Sequence, residues 1–351
     1  MDRRQADAGH HRLTQRSLWI TGAALVAAAL PGAAFAERTE DDKGTFSLVV
    51  ENDSLSSGAD RNYTSGIKLG YVGRDVPRWL DRAGGGLVRA VSNSDPDFWG
   101  LAIGQSIFTP EHIDQVPAPP DEHPYAGWLY AELTLAAEED APAGRAPRYL
   151  DIYELTFGLV GPSALGEQAQ SGIHQILGAP EPLGWDSQLH DEFAFAFSFD
   201  RRWRSLAIST QGLEADLVPS AGFSLGTLHD EVRVGLTARV GQRLYREYAT
   251  GPARVRPALA SLDYFAGGEL SWAIFAGVQG RGVARNLFLD GNTFEDSASV
   301  DRKPFVADFQ TGFSISAADW RISYSYVWRT EEFETQPTRQ DFGVLALSWR
   351  Y

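Results

Sequence analysis

Much of the chain alternates strictly between apolar and polar residues, which is the pattern of β-strands whose two faces meet different surroundings. In residues 321–328, the apolar and aromatic side chains of one face are Ile322, Tyr324, Tyr326 and Trp328. The opposite face carries Arg321, Ser323 and Ser325. Similar alternation runs through 193–200, 231–240 and 305–315. The chain is therefore predicted to consist mainly of amphipathic strands.

Twelve such strands can be placed along the chain. We predict them at residues 44–52, 63–73, 99–108, 126–137, 149–160, 192–204, 213–228, 231–241, 271–288, 304–316, 320–331 and 341–351. An even number is what a closed antiparallel barrel of the bacterial outer membrane requires. If both termini lie on the inner side, the outward connections are 53–62, 109–125, 161–191, 229–230, 289–303 and 332–340. The sequence shows no internal repeat and no linker, so we expect one domain.

The apolar faces decide between a membrane barrel and a soluble β-sandwich. A sandwich also alternates, because its apolar faces pack on a second sheet. Here the apolar faces end in Trp and Tyr, as in the aromatic girdles of membrane barrels. The last strand carries Leu345, Leu347, Trp349 and Tyr351 and resembles the C-terminal signature of outer-membrane barrels. We therefore predict an all-β, twelve-stranded antiparallel transmembrane β-barrel of the outer membrane.

The first residues have the features of an export signal. Four arginines precede an apolar stretch at 18–30, and the run Ala34-Phe35-Ala36 fits the cleavage pattern of small residues. We predict a cleaved signal peptide at 1–36 and the barrel domain at 37–351. A membrane-anchoring helix is the alternative, but Pro31 and the small residues after it favour cleavage. No later run reaches the roughly 18 apolar residues of a transmembrane helix.

Charge and cysteine content narrow the partners. Removing the signal's net charge of +2 from the formal net charge of −15 leaves the mature chain near −17. Such acidity argues against nucleic acid, whose phosphates attract Lys and Arg, and it permits divalent cations. The chain has no cysteine, which excludes disulfides and thiolate chemistry.

One segment of the third outward connection has helical spacing instead of alternation. Ser163 is placed to cap its start and Gly178 to close its end. An apolar stripe is formed by Leu165, Ala169, Ile173 and Ile176. Gln170 and His174 lie on another face and are neighbours, because they are four residues apart. His174 is a candidate functional residue, although a lone histidine is more often simply packed or solvated.

The first outward connection is rich in oxygen-bearing side chains. Asn52, Asp53, Asp60 and Thr64 offer the hard oxygen ligands that calcium binds. The same residue types are common loop formers, and their spacing differs from that of an EF-hand. On composition alone, the interpretation as loop formers is the stronger one.

Other features of the outward connections have plain structural interpretations. The run Pro124-Tyr125-Ala126-Gly127-Trp128 is typical of a tight turn with an aromatic anchor at the membrane interface. His190 and His229 lie in connections without organised partners, and we expect both on the surface.

Taken together, the connections resemble those of the outer-membrane lipid A deacylases, the LpxR-like family. The matching pieces are Glu51-Asn52-Asp53; Asp60-Arg61-Asn62-Tyr63-Thr64-Ser65-Gly66; Gly104-Gln105-Ser106-Ile107-Phe108-Thr109-Pro110; Pro124 to Tyr130; Gly161-Pro162, Gln170, His174, Gly178-Ala179, Gly184-Trp185 and Gln188-Leu189 within 158–189; Asp290-Gly291-Asn292-Thr293-Phe294; and Glu332-Phe333. The resemblance covers nearly the whole mature chain. Its motifs are specific jointly, whereas none of them is specific alone.

This resemblance implies a twelve-stranded barrel that hydrolyses the ester-linked 3′-O-acyloxyacyl chain of lipid A at the outer leaflet, with Ca²⁺ as cofactor. It implies His174 as the base that activates water. Gln170, Asn52 and Asp53 would complete the catalytic set. Asp53, Asn52 and Thr64 would hold the calcium ion. The implied partners are lipopolysaccharide and the lipids of the outer membrane, and a monomer is the default expectation.

The sequence departs from the family pattern in two places. The deacylases that it resembles carry an acidic residue soon after the Gly-Ala that follows the histidine. Here Pro180 holds that position and Glu181 is next, and we assign Glu181, with Thr64, to substrate binding. The deacylases also carry basic residues in the second outward connection, whereas 109–125 has no Lys or Arg. This second departure bears on the substrate more than on the hydrolytic chemistry.

Two other functions stay open from the sequence. An outer-membrane phospholipase or another esterase on the same scaffold would use the same histidine and calcium ion. A porin, adhesin or structural barrel would need neither of them.

Overall fold

The computed structural model describes residues 43–53, 62–140, 148–210, 212–244, 265 and 267–351. The predicted signal peptide at 1–36 and the candidate ligand Asp60 lie outside the described residues. Within the described residues, no helix has the length and apolar character needed to cross a membrane.

Antiparallel strands make up most of the regular structure. They are β1 (Thr45–Asn52), β2 (Asn62–Gly73), β3 (Phe98–Thr109), β4 (Ala126–Glu138), β5 (Tyr149–Val160), β6 (Glu192–Trp203), β7 (Ser205–Thr210), β8 (Leu213–Gly226), β9 (His229–Gln242), β10 (Gly268–Asn286), β11 (Phe305–Ala318), β12 (Trp320–Arg329) and β13 (Gln340–Arg350). Neighbours in sequence pair throughout, and β1 pairs with β13. The pairing of β6 with β8 completes the ring, so the sheet is a closed barrel.

The short strand β7 continues β6 after an interruption at Arg204. Both segments pair with β8, where Arg202 lies opposite Ser220 and Ser205 lies opposite Leu217. The two segments therefore occupy one position, and the barrel has the twelve strand positions that the alternation predicted. The bounds of the twelve predicted strands differ from the observed ones by at most three residues. The extension β7 was not predicted.

The outer face of the barrel wall is apolar. Large exposed side chains on this face include Ile67, Leu69, Leu101, Ile103, Leu129, Phe195, Val232, Val234, Ile274, Phe313 and Leu347. A soluble sandwich would bury such a face against a second sheet, whereas the hydrocarbon of a bilayer solvates it. The described strands form a single closed sheet, so the soluble sandwich is excluded.

The inner face of the wall is polar and densely charged. Three inward arginines, each at most 5% exposed, contact carboxylates on neighbouring strands and connections. The contacts are those of Arg233 with Asp200 and Glu231, Arg281 with Glu231, Asp308 and Glu332, and Arg329 with Asp308 and Glu332. We call these residues the inner charge network. Glu231, Asp308 and Glu332 each contact two of these arginines. Such pairing stabilises the buried charges, and breaking a buried ion pair costs about 3–5 kcal/mol.

Helices occur only in connections between the described strands. At one rim, α1 (Arg78–Leu80) passes through a wide turn at Asp81–Gly85 into α2 (Gly86–Ser92), and Val88 packs against β4 and β5. This segment was not predicted, because it is short and contains three consecutive glycines. At the other rim, the third outward connection contains α3 (Gly166–Leu177), as predicted.

An apolar cluster fills the barrel interior at the rim that carries α3, which we call the outward rim. Phe288 belongs to the short helix α4 (Leu287–Asp290), which Asn286 caps by accepting from the Phe288 N–H at 3.1 Å. The Phe288 ring stacks on Phe108 with centroids 4.2 Å apart. Trp128 packs in the same cluster and is 1% exposed. The interior at this rim is therefore packed with aromatic side chains.

Candidate active site

The outward end of β1 presents polar residues on the outer face of the wall. Glu51 is buried inside the barrel, where the Tyr63 hydroxyl donates to it at 2.6 Å. Successive strand residues point to opposite faces, so Asn52 lies on the outer face. Its Nδ2 donates to the Thr64 carbonyl oxygen at 3.0 Å. Asp53 follows and is 1% exposed, so the predicted pair lies at the rim beside Thr64.

Thr64 lies at an irregularity of β2. The pairing of β2 with β3 shifts between Tyr63 and Ser65, which leaves Thr64 as the extra residue of a bulge. A bulge re-aims a side chain, and here the Thr64 hydroxyl lies 2.7 Å from the Thr109 hydroxyl. Thr109 ends β3 and begins the second outward connection. This contact, which the sequence did not predict, therefore ties the first connection to the second.

The helix α3 lies against the outer face of β3 and β4. Gln105, on the outer face of β3, donates to the Ala164 carbonyl oxygen at 2.6 Å just before the helix. A Cβ atom added to Gly127 would lie 3.1 Å from the Gly166 nitrogen. The two glycines thus allow the helix and the strand to approach closely, which holds α3 beside the outward end of the wall.

The polar face of α3 is turned toward the barrel and its apolar residues are turned away. Gln170 is 2% exposed and His174 is 7% exposed. Leu165, Ile173 and Ile176 are instead 53%, 47% and 83% exposed. Beside a wall that faces hydrocarbon, this orientation is stable, because the exposed residues of the helix extend the apolar outer surface. The candidate catalytic residues are thereby enclosed between helix and wall.

The ends of α3 differ in how well they were predicted. Gly178 closes the helix in the left-handed conformation with φ 68°, as expected. The prediction that Ser163 caps the start was wrong. A short helical turn precedes α3, and the Ser163 hydroxyl donates to Asp191 at 2.8 Å, while Leu165 occupies the N-cap position.

The His174 ring is held by the turn that follows the helix. Its Nδ1 lies 2.5 Å from the Pro180 carbonyl oxygen. A carbonyl oxygen only accepts, so Nδ1 carries the proton and Nε2 of the neutral ring carries a lone pair. The arrangement gives His174 a fixed ring with one nitrogen able to accept a proton. Glu181 is next to this contact in the chain, and its side chain is exposed.

The Gln170 side chain is held by Trp185, a residue to which the sequence reading gave no role. The Trp185 Nε1 donates to the Gln170 Oε1 at 2.9 Å. Trp185 is 2% exposed and packs against Tyr125, with ring centroids 5.0 Å apart. The Gln170 Nε2 is buried and has no hydrogen-bond partner within the described residues. Within the described residues, the Gln170 amide oxygen is therefore hydrogen-bonded and its amide nitrogen is not.

The second outward connection joins the two parts of the candidate site. It begins at Thr109, beside Thr64, and its residues Ile113 and Tyr125 pack against Trp185. The Leu183 N–H also donates to the Ile113 carbonyl oxygen at 2.8 Å. The Asn52–Asp53 end of the site and the Gln170–His174 end are thus brought to the same rim of the barrel, more than a hundred residues apart in sequence.

The predicted calcium ligands have suitable chemistry. Asp53 offers a carboxylate, Asn52 an amide oxygen and Thr64 a hydroxyl, and calcium accepts all three classes of oxygen. Asp53 is the one acidic side chain among the predicted ligands that the structure describes. No group of three or more His, Asp or Glu residues that could hold a metal occurs within those described residues. The described part of the proposed calcium site thus offers one carboxylate together with neutral oxygens.

His123 belongs to the second connection but is buried, at 4% exposure. Its ring stacks on Phe108 with centroids 5.4 Å apart, and its Nδ1 donates to the Pro124 carbonyl oxygen at 2.8 Å. Burial lowers the pKa of His123 below its usual value, and this outweighs the opposing effects of that carbonyl and the Glu332 carboxylate. Burial would raise the pKa of Glu332, but neighbouring arginine charges, Arg329 above all, lower it. Burial thus favours the neutral form of His123.

The run 124–128 was wrongly interpreted as a turn with an interfacial anchor. Ala126 begins β4, Tyr125 packs on Trp185 outside the barrel, and Trp128 points into the interior cluster. The aromatic residues of this run face both sides of the wall because they lie in and beside a strand.

The surface location predicted for the two remaining histidines holds for only one of them. His229 begins β9 and is 5% exposed, with its ring centroid 5.9 Å from that of Phe288. His190 is exposed, and its Nδ1 lies 3.2 Å from the Glu295 carboxylate. His229 was misplaced because β9 begins two residues earlier than predicted.

The fold and the site together define a class of protein. It is a transmembrane barrel with a filled interior, and a buried histidine and carboxamide lie on its outer wall beneath a helix of an outward connection.

The chain belongs to the LpxR family, because the model of the family Outer membrane protein LpxR matches residues 19–351. Its structure is similar to that of LpxR from Salmonella typhimurium, with a TM-score of 0.67 and 20% identity over 87% of this chain and 99% of that chain. A more distant similarity links it to the β domain of the Bordetella autotransporter BrkA, with a TM-score of 0.41 and 11% identity over 89% and 98% of the two chains. No curated protein sequence matches the chain. The predicted family and the twelve-stranded barrel fold are confirmed, and the protein is located in the outer membrane.

Proposed function

We propose that this protein is a calcium-dependent ester hydrolase that removes the 3′-O-linked acyloxyacyl chain from lipid A in the outer leaflet. Membership of the LpxR family supports an activity on lipid A in general. The finer points, which are the reaction mechanism, the metal and the site residues, rest on the geometry described above.

The observation that carries the proposal is the position of His174. The residue is buried between α3 and the outer face of the barrel wall. The exposed residues at this helix include the apolar Leu165, Ile173 and Ile176 as well as Glu167, Gln168 and Gln175. An ester of a lipid in the same leaflet can reach such a site laterally, with its acyl chains against the apolar residues and its head group near the polar ones.

His174 is the proposed base. Its Nε2 takes a proton from a water molecule, whose oxygen forms a bond to the ester carbonyl carbon. The bond between that carbon and the sugar oxygen then breaks, and the proton passes from His174 to the departing sugar oxygen. The products are a carboxylic acid and a sugar hydroxyl, and His174 returns to its neutral form. No serine nucleophile is needed.

The negative charge that develops on the carbonyl oxygen requires a positive partner. A bound Ca²⁺ supplies that charge. Asp53, Asn52 and Thr64 would hold the ion, and Asn52 would do so through Oδ1, since its Nδ2 donates to the Thr64 carbonyl. Thr64 and Glu181 are proposed to contact the head group of the substrate.

A second candidate is a phospholipase on the same scaffold. It is favoured by one observation: residues 109–125 contain no Lys or Arg, and of their two histidines His123 is buried and His112 contacts the Glu122 carboxylate. A connection without Lys or Arg offers little to the phosphates of lipid A. A porin is disfavoured, because aromatic side chains fill the interior at the outward rim.

Mass spectrometry of outer-membrane lipids separates these functions. Cells that express the wild-type chain are compared with cells that express His174→Asn at the same level. We expect lipid A to lose the mass of its 3′ acyloxyacyl chain only in the wild type. Accumulation of lysophospholipid with intact lipid A would establish the phospholipase instead. No difference in either lipid class between wild type and variant would refute a hydrolase of membrane lipids.

A further inference from the structure

The contact between Trp185 and Gln170 fixes which end of the Gln170 amide faces the protein. The indole nitrogen is a donor and never an acceptor, so the atom 2.9 Å from it must be the amide oxygen. The amide nitrogen, with both of its hydrogens, is consequently turned away from Trp185. This orientation follows from the chemistry of the indole and does not depend on how the two similar amide atoms are assigned.

The Gln170 nitrogen is one of seventeen buried side-chain polar atoms that have no hydrogen-bond partner within the described residues, and it lies on the helical face that carries His174. Buried polar atoms are almost always bonded, because an unsatisfied buried donor costs about 1–3 kcal/mol. Gln170 is 2% exposed, and its Nε2 finds no partner within the described residues. The oxygen of the same side chain is satisfied. A side chain that is half satisfied in this manner keeps two donor hydrogens for a group that comes into contact with it.

The neighbour on that helical face is His174, one turn later in α3. In the proposed reaction His174 delivers a hydroxide equivalent to an ester carbonyl, whose oxygen becomes negatively charged. A neutral amide N–H is a suitable donor for that oxygen. An amide turned the other way would present its own oxygen and repel it.

We infer that Trp185 is a positioning residue that locks the Gln170 amide so that Nε2 donates to the carbonyl oxygen of the reacting ester, an inference that rests on the proposed hydrolysis. Trp185 acts through Gln170 and does not touch the substrate itself.

Trp185 is well suited to this role because it cannot easily move. A Cβ atom added to Gly166 would lie 2.7 Å from the Cη2 atom of the indole, so the ring lies directly on the first residue of α3. The indole also packs against the Tyr125 ring. Tyr125 is itself close to the backbone, since a Cβ atom added to Gly184 would lie 2.5 Å from its ring. The indole is thus held between the helix that carries Gln170 and the second outward connection.

The test compares single and double variants in steady-state hydrolysis of purified lipid A. Trp185→Phe keeps an aromatic ring and removes the N–H, and we expect kcat to fall about tenfold with KM little changed, because loss of a transition-state donor affects kcat. Gln170→Glu keeps the acceptor for Trp185 and removes the donor, and we expect a fall of about a hundredfold. The double variant should equal Gln170→Glu alone, since Trp185 acts only through the amide nitrogen.

Trp128→Phe is the matched control. Trp128 is equally buried, at 1%, and its Nε1 has no hydrogen-bond partner within the described residues. The same substitution there removes the same volume but no hydrogen bond, and kcat should stay within about twofold of wild type, in the range of ordinary packing changes. Equal losses for Trp185→Phe and Trp128→Phe, or additive losses in the double variant, would overturn the inference.

A second measurement separates this inference from the proposed function. In protein labelled with ¹⁵N at tryptophan, the indole N–H resonance of Trp185 is identified by its absence in Trp185→Phe. It should shift upfield in Gln170→Leu, which removes the acceptor, and change little in Gln170→Glu. An unshifted resonance in Gln170→Leu refutes the lock, whatever the substrate. If the resonance shifts in Gln170→Leu but the wild-type protein leaves lipid A intact, the lock stands and the proposed function is refuted.

Discussion

Polar side chains are buried on both faces of the barrel wall near the outward rim, but the two sets are bonded differently. On the inner face, the three arginines of the inner charge network share four carboxylates with one another. On the outer face, Gln170 and His174 lie beneath α3, and the Gln170 Nε2 has no partner within the described residues. The inner set is held by ion pairs, which include the Arg281 Nε and Asp308 Oδ2 atoms that make no hydrogen bond within the described residues, whereas the Gln170 Nε2 of the outer set is an uncharged donor without such a pair.

The two faces of the wall therefore have different consequences for stability. Charges inside the barrel stabilise the fold only while they are paired, because a broken buried pair is strongly destabilising. A donor left over on the outer face lowers stability, and a ligand that accepts from it offsets that cost. We therefore propose that the inner polar residues are structural and the outer ones functional. Substitutions on the two faces should change different properties.

The largest expected effect is that of His174→Ala on catalysis. We expect the rate of acyl release to fall by about 10²–10⁴-fold, because the proton acceptor is lost. The free energy of unfolding should change little, since His174 lies outside the barrel. Purified variant and wild type are compared for released fatty acid by mass spectrometry and for unfolding in urea.

Metal removal should also abolish activity selectively. Exhaustive chelation should stop acyl release, and added Ca²⁺ should restore it, while Asp53→Asn should need a higher Ca²⁺ concentration for the same rate. The barrel should remain folded throughout, because the inner charge network contains no proposed ligand. Full activity after chelation would show that no metal takes part.

On the inner face, Arg329→Met should reduce stability more than activity. Arg329 lies 2.8 Å from the Asp308 carboxylate and 3.3 Å from the Glu332 carboxylate. The substitution removes this partner from both carboxylates, and we expect a loss of about 3 kcal/mol in the free energy of unfolding. Arg89 is the control, since its ion pairs with Asp81 and Asp95 are exposed, and Arg89→Met should unfold like wild type. Equal stability of the two variants would contradict the structural role of the network.

The smallest effect concerns His123 and pH. Its folded pKa is lowered by burial, so the unfolded chain binds a proton first as the pH falls below about 6.5. The stabilising contribution of the neutral ring is complete above that pH and is lost as the pH falls toward the folded pKa. Urea midpoints at pH 7.5 and 5.5 should differ more for wild type than for His123→Gln. An identical difference in both proteins would exclude His123 as the titrating group.

Much of the barrel could be predicted from the sequence because alternation depends only on neighbouring residues. The same local rule placed Asn52, Asp53 and α3 at one rim through strand parity. It did not show which face of α3 meets the barrel. In a water-soluble protein an apolar stripe packs against the core, whereas in a membrane protein it can face the lipid. Nor did it assign roles to Thr109 and Trp185, whose partners are distant in sequence and depend on a bulge and on close glycine contacts.

We propose that function resides on the outer face of the barrel wall and stability on the inner face. The decisive measurement is the initial rate of 3′ acyl release per folded molecule, on one lipid A preparation, for wild type, His174→Ala and Arg329→Met. We predict that the rate is lost in His174→Ala and retained in Arg329→Met. Release by His174→Ala at the wild-type rate would contradict the account.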